Sequence, residues 1–201
     1  MALPLSEHFG HGFHSTGTCG AFAAAAVASR LSGLTPEQTV HALGIAGSQA
    51  AGSLEYRTEK AWTKRLHPGW AAHSGIMAAE LARSGFTGPR RILEGRAGFL
   101  RSYSDNPRVE GMLAGLGTDY QIVRTALKPH AACRYSQGAI DATLQLVREH
   151  DLRPDQIERV TVGLLKAAFP SVAEPPEQKR RPTTVMDAQF NVYYAVAASV
   201  R

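Results

Sequence analysis

The chain has 201 residues, of which 44% are hydrophobic and 19% charged, and its net charge is +5. That is the make-up of a globular protein with a sizeable core. Its scattered basic residues, with Lys179-Arg180-Arg181 the nearest thing to a run, exclude nucleic acid as an expected partner. Cys19 and Cys133 are too few for a disulfide framework and lie outside CxxC spacing, and no apolar run approaches the roughly 18 residues of a membrane span. With no charged-then-apolar leader, the expectation is a cytoplasmic protein with reduced thiols and no membrane partner.

Met1 to Phe13, with Pro4 and several Gly and His breakers, reads as an extended lead-in. Gly20 to Leu31 follows, AFAAAAVASRL, a strong helix former with almost no charge, which predicts a helix buried on nearly every face. Thr35-Pro36-Glu37-Gln38 is an N-cap, a first-turn Pro and acidic or amide residues, and starts a second helix that runs to Gly47. His67-Pro68-Gly69 is read as a break, after which Ala71 to Ser84 forms a third helix ended by Gly85. Gly85 to Pro89 (GFTGP) is turn chemistry.

The texture changes after Asp105. Tyr120 to Leu127 reads as a strand, Ser136 to His150 as an amphipathic helix, and Arg153 to Gln156 as a short turn. Ile157 to Leu165 (IERVTVGLL) alternates like a second strand. The Pro-rich, charged stretch from Glu174 to Pro182 reads as a loop, and Asp187 to Val200 resumes a small-residue helix. The class is therefore mainly α with an α+β insertion.

Two cationic clusters lie at predicted helix starts. GFHSTGTCG places His14 before the first helix, and TKRLHPGWAAHSG places Lys64, His67 and His73 before the third. Such clusters suit a small polycarboxylate.

Four blocks carry a resemblance. GFHSTGTCGAFAAAA, KRLHPGWAAHSGIMAAELARSGFTGPRRILEG, KPHAACRYSQGAIDA and AQFNVYYAVA, in this order, resemble the MmgE/PrpD family. That family includes 2-methylcitrate dehydratase, cis-aconitate decarboxylase and related enzymes of small polycarboxylates. The resemblance implies a helical domain interrupted by a smaller α/β lid, with the active site between them, in members that are typically dimers about twice this long. It divides the chain into residues 1–100 of the helical domain, 101–182 of the lid, and 183–201 returning to the helical domain, as the incomplete middle of such an enzyme.

Residue by residue, His14 matches the family's active-site histidine, able to move protons near neutral pH or to hold a carboxylate. From the residues alone, a helix-start histidine bonded to backbone is the alternative. Lys64 matches a substrate-facing lysine, and Lys128 a second one from the lid. Together they imply a two-carboxylate clamp. His67 is a substrate-binding candidate or a structural turn residue, His73 a weaker candidate, and Trp70 is expected to pack. Cys133 stands where the decarboxylase resemblance would have His, a departure that argues against cis-aconitate; it is either a substrate-site residue or a small buried hydrophobe. Tyr194 matches the family's site tyrosine, a proton donor, although its neighbour Tyr193 shows that such a residue can simply pack.

No HExxH, no Walker loop and no GxGxxG is present, so neither a metal nor a cofactor is expected, and Gly17 and Gly20 are read as permitting a tight turn and close packing. The resulting expectation is a cofactor-independent lyase or isomerase (dehydratase, decarboxylase or epimerase). It would act on a small di- or tricarboxylate through a carbanion-like intermediate, as a homodimer or in association with missing segments. The alternative is a truncated or split family member, inactive alone, that folds or binds only with a partner supplying the missing helices.

Overall fold

A computed structural model describes residues 5–110 and 112–201; residues 1–4 of the expected lead-in lie outside the described residues. The chain forms two compact units, 1–120 and 121–201.

The first unit is built on three helices. Helix α1 (Leu5–Gly10) is a short turn of helix where an extended lead-in was expected. Tertiary bonds hold it: buried His8 bonds Thr18 Oγ1 at 3.0 Å, and the Glu7 carboxylate accepts from the Asn106 amide at 3.2 Å. Gly12, at φ +83, turns the chain out of it. Helix α2 (Ser15–Leu31) turns Gly17, Thr18, Ala21, Ala25 and Ser29 inward, a stripe at helical spacing. Helix α3 (Pro36–Ser48) begins with the expected cap, a reciprocal Thr35–Gln38 box with bonds of 3.0 and 3.2 Å.

After the single turn α4 (Tyr56–Glu59) comes the longest helix, α5 (Thr63–Arg83). It runs straight through Pro68, where the sequence suggested a break. Proline removes the N–H that the Lys64 carbonyl would have used, but this lies one turn inside the helix start. Packing of the Ala71, Ser74, Gly75, Ala78 and Ala82 stripe against α2 outweighs that loss. The stripe is so small that the backbones nearly touch: a Cβ built on Gly75 would strike Ala25 N at 2.5 Å and Ala24 C at 2.6 Å. Phe99 and Leu100 of α6 (Phe99–Tyr103) close the Ala-rich core, and Tyr103 Oη donates to the Ala50 carbonyl at 2.7 Å.

Within this unit α2 is not covered on every face. Val27 and Leu31 are 59% and 82% exposed. The outward face of α5 is apolar too, with Trp62, Leu66, Trp70 and Met77 exposed, and Trp70 stacks on exposed His73 instead of packing in a core.

In the second unit α7 (Gln137–His150) is the main helix, followed by short turns of helix at α8 (Phe169–Val172), α9 (Pro176–Lys179) and α10 (Val185–Gln189), then α11 (Val192–Ser199). A small core of Ala168, Val172, Ala173, Val192 and Val196 is its centre, with Ala139, Val162, Leu164 and Cys133 packed against it. Within this unit residues 183–201 pack with 121–182, since Val192 and Val196 share the core of Ala168, Val172 and Ala173.

The two expected strands do not form a ladder. Gln121–Arg124 is a turn of 3-10 helix with Ile122 and Val123 three-quarters exposed or more, so no apolar surface rewards an extended course. In residues 157–165 Val162 and Leu164 pack inward and Thr161 and Leu165 face outward, but Val160 is 50% exposed and Ile157 half-buried. The expected alternation therefore holds only over 161–165, and no strand pairs with this stretch among the described residues. The mainly helical class holds.

Candidate functional site

His14 occupies the N-cap of α2, at φ −91 and ψ 104. Its backbone is fully engaged: its N–H donates to the Gly52 carbonyl at 2.8 Å, and its carbonyl accepts from the amides of Gly17 at 2.9 Å and Thr18 at 3.2 Å. A matching bond from the Leu54 amide to the Gly12 carbonyl at 2.8 Å makes Phe13 and Ser53 the single β-bridge among the described residues. That bridge ties the start of α2 to the segment after α3. Gly17 permits the close approach, since a Cβ there would collide with the Ala51 carbonyl.

The His14 side chain does not cap its helix, which removes the backbone-bonded alternative. Its Nδ1 lies 2.8 Å from Nδ1 of His67, with ring centroids 5.0 Å apart. The continuity of α5 explains the meeting. Lys64 and His67 stand three apart, on the face that carries Ala71, Ser74, Gly75 and Ala78 to α2. That face delivers both residues to the N-terminal end of α2, where the partial positive charge of the helix adds to that of Lys64. His73 points the other way, exposed beside Trp70, and is outside the cluster.

Two residues without a motif complete the surroundings. Buried Tyr56 sets its ring edge-on to both imidazoles, with centroids 5.6 and 5.7 Å away. His8, buried under Phe13 and Tyr103, lies near enough for its charge to be felt at His14. Burial, then His67, Lys64 and His8 in that order, push the His14 pKa down to about 4. Burial and then Lys64 lower His67 as well. The cluster is a neutral imidazole pair beside a lysine, in a place that disfavours cations unless an anion arrives.

Lys128, Cys133 and Tyr194 are in the second unit. Lys128 is exposed and Tyr194 is 47% exposed. Tyr194 is placed by the Asn191 N-cap of α11, whose Oδ1 accepts from the Tyr194 amide at 2.9 Å. Cys133 packs against the small core, as a small hydrophobe does. Its amide donates to the Gln189 carbonyl at 2.7 Å, and buried Gln137 bonds the carbonyls around it, at 3.1 Å to His130 and to Ala132. Two concavities of this unit, about 380 and 620 Å³, are lined by other residues, the first around His130, Asp141 and Arg148 and the second around Ile157, Leu164, Phe169 and Val196. Among the described residues no three His, Cys, Asp or Glu side chains are placed to share a metal ion, and no helix is long and apolar enough to cross a membrane.

Comparison with known proteins adds a family. Residues 1–112 match the MmgE/PrpD N-terminal domain and residues 130–200 the MmgE/PrpD C-terminal domain. Over 99% of its length the chain is 34% identical to a cis-aconitate decarboxylase-like protein of Aspergillus oryzae, of which it covers 43%. It is 28% identical to the cis-aconitate decarboxylase of Aspergillus terreus over 99% of the chain and 42% of that protein. It is 33% identical to the human cis-aconitate decarboxylase over 76% of the chain and 32% of that protein. The chain spans less than half the length of these curated relatives.

Proposed function

The chain belongs to the MmgE/PrpD family, and from that premise we propose that it carries the carboxylate-binding and proton-handling part of a lyase acting on a small tricarboxylate. The observation that carries this reading is the meeting of His14, His67 and Lys64, with the two imidazoles 2.8 Å apart. Lys64 holds a substrate carboxylate. When the neighbouring carbon gains negative charge, either by losing a proton or by losing a carboxyl group as CO2, that charge spreads onto the held carboxylate. A preorganised ammonium there stabilises the charge more than it stabilises the ground state. A neutral imidazole at His14 accepts or returns the proton at the carbon.

Lys128 and Tyr194 enter from the resemblance alone, as a second carboxylate-binding cation and a proton donor. The names of the relatives favour decarboxylation of a cis-aconitate-like acid over dehydration or epimerisation. Cys133, standing where the decarboxylase resemblance would have His, favours a substrate other than cis-aconitate, because a thiol packed on the apolar core supplies no imidazole at that position.

The test is proton NMR in deuterated buffer with citrate, 2-methylcitrate and cis-aconitate. Loss of a C–H signal or appearance of a decarboxylated product, abolished in Lys64→Ala with the fold retained, is expected; full activity in that variant would overturn the assignment. A second reading is that the chain works only with further polypeptide. It is favoured by the share of its relatives that it spans and by the apolar faces of α2 and α5. Purification as an aggregate or with a second polypeptide supports that reading, and turnover by a well-behaved homodimer refutes it.

A further inference from the structure

An Nδ1–Nδ1 bond of 2.8 Å between two imidazoles obeys a simple proton count. It needs one proton between the two nitrogens, so a neutral pair holds complementary tautomers: the donor ring keeps a bare Nε2, and the acceptor ring carries its proton on Nε2. A singly charged pair still has one proton in the bond and carries protons on both Nε2 atoms. A doubly charged pair would set two N–H groups against each other and break the bond. The two rings therefore titrate as one group.

We propose that His67 is a positioning residue for His14: by sharing one proton through their Nδ1 atoms the two imidazoles act as a single acid–base unit with a base and a donor at its two Nε2 atoms, and a bound polycarboxylate brings one proton into it. The inference rests on the proposed function. The surroundings support it from each side. Lys64 on α5 opposes a charge on the pair, His8 on α1 does the same at His14, and Tyr56 on α4 presents a ring edge. The remaining wall, residues 49–53, has no ionisable side chain and places the Gly52 backbone beside the His67 ring. An incoming carboxylate reverses this balance, because one negative charge offsets Lys64 and favours the protonated pair. Once the bare Nε2 has taken a proton from substrate, both Nε2 atoms carry protons. Transfer of the proton in the bond then moves the positive charge onto the other ring, which can release its own Nε2 proton.

The experiment is a pH titration of the protein labelled with 15N-histidine, with and without tricarballylate as an unreactive tricarboxylate probe, in the unmodified protein, His67→Asn and His67→Ala. Complementary tautomers for His14 and His67 at about pH 8, uptake of one proton and not two by the pair in the folded protein as the pH falls, and an upward move of that titration by about one pH unit or more with saturating probe are expected. Asn can replace Nδ1 as a hydrogen-bond partner without titrating, so His67→Asn should keep His14 in one tautomer. His67→Ala should let it mix and titrate at higher pH. Identical tautomers on the two rings, two imidazolium ions in the folded protein, or a His14 tautomer unaffected by His67→Ala would overturn the inference whatever the probe does. Complementary tautomers with no response to the probe would overturn the carboxylate-binding reading, and with it the coupling of ligand to proton.

Discussion

The two units hold themselves together by different means. In the first, small side chains let α2, α3 and α5 approach until backbone meets backbone, and the buried residues are mostly Ala, Gly and Ser. In the second, the apolar core is small, and buried or half-buried polar side chains knit loops to helix ends. Lys179 Nζ donates to the carbonyls of Ser171 at 3.0 Å and Phe190 at 2.7 Å, Asn191 Nδ2 donates to the Lys179 carbonyl, and Asp187 accepts from the Thr183 amide. Close helix packing fixes positions over several turns, so the first unit can aim His14, His67 and Lys64 at one point. A polar-knit unit fixes each loop locally, and Lys128 and Tyr194 stay at its surface.

The sharpest way to break the contrast is to add bulk where the first unit has none. Gly75→Val should cost about 3 kcal/mol or more, because the new side chain meets the backbone of α2. Urea unfolding should show it, with hydrogen-exchange protection falling in α2 and α5; tolerance of the substitution would mean that the helices are not in contact there. In the second unit Asn191→Ala should cost about 2 kcal/mol through loss of a helix cap and a buried amide bond. A neutral result would take away the polar account of that unit.

Acid separates the units more gently. The folded pKa of His14, about 4, lies below its ordinary 6.5, so protonation favours the unfolded chain. This contribution to stability is complete above about pH 6.5 and is lost as the pH falls towards 4. The melting temperature of the first unit should therefore drop between those limits, and His14→Asn should flatten the decline; an unchanged pH profile would contradict the burial assigned to the imidazole. Smallest of all, Thr35→Ala should lower stability by about 1 kcal/mol by opening the capping box of α3. Chemical denaturation read at α3 would measure it.

Much of this was legible in the sequence, and the failures have physical causes. Short-range signals worked: the Thr35–Gln38 cap, the α2 helix former and α7 appear within a residue or a few of where propensity and capping place them. His14 and Lys64 stood out as cations at helix starts, but only the resemblance gave them roles, since a lone imidazole and a lone lysine have no pattern of their own. Pro68 misled because local propensity says break while a long Ala and Gly stripe says continue, and tertiary packing decided. Reading a break there concealed the i, i+3 relation of Lys64 and His67 that places both at His14. Alternation at 157–165 marked the inward side chains only over 161–165, where Val162 and Leu164 meet the core while Val160 stays exposed, and pairing depends on a partner that no local pattern contains. Tyr56 and His8 reach the site through the tertiary fold alone, with no sequence signal that could have found them.

The measurement that bears most directly on the central claim is the affinity of tricarballylate, by isothermal titration calorimetry at about pH 6.5, for the unmodified protein and for Lys64→Met. Lys64 sits beside both imidazoles and acts on each of them. If the cluster holds the carboxylate, binding should weaken by about tenfold or more, as expected for loss of a charge-assisted contact. Equal affinity in the two proteins, with helix content and melting temperature unchanged, would contradict the account and place the polycarboxylate elsewhere.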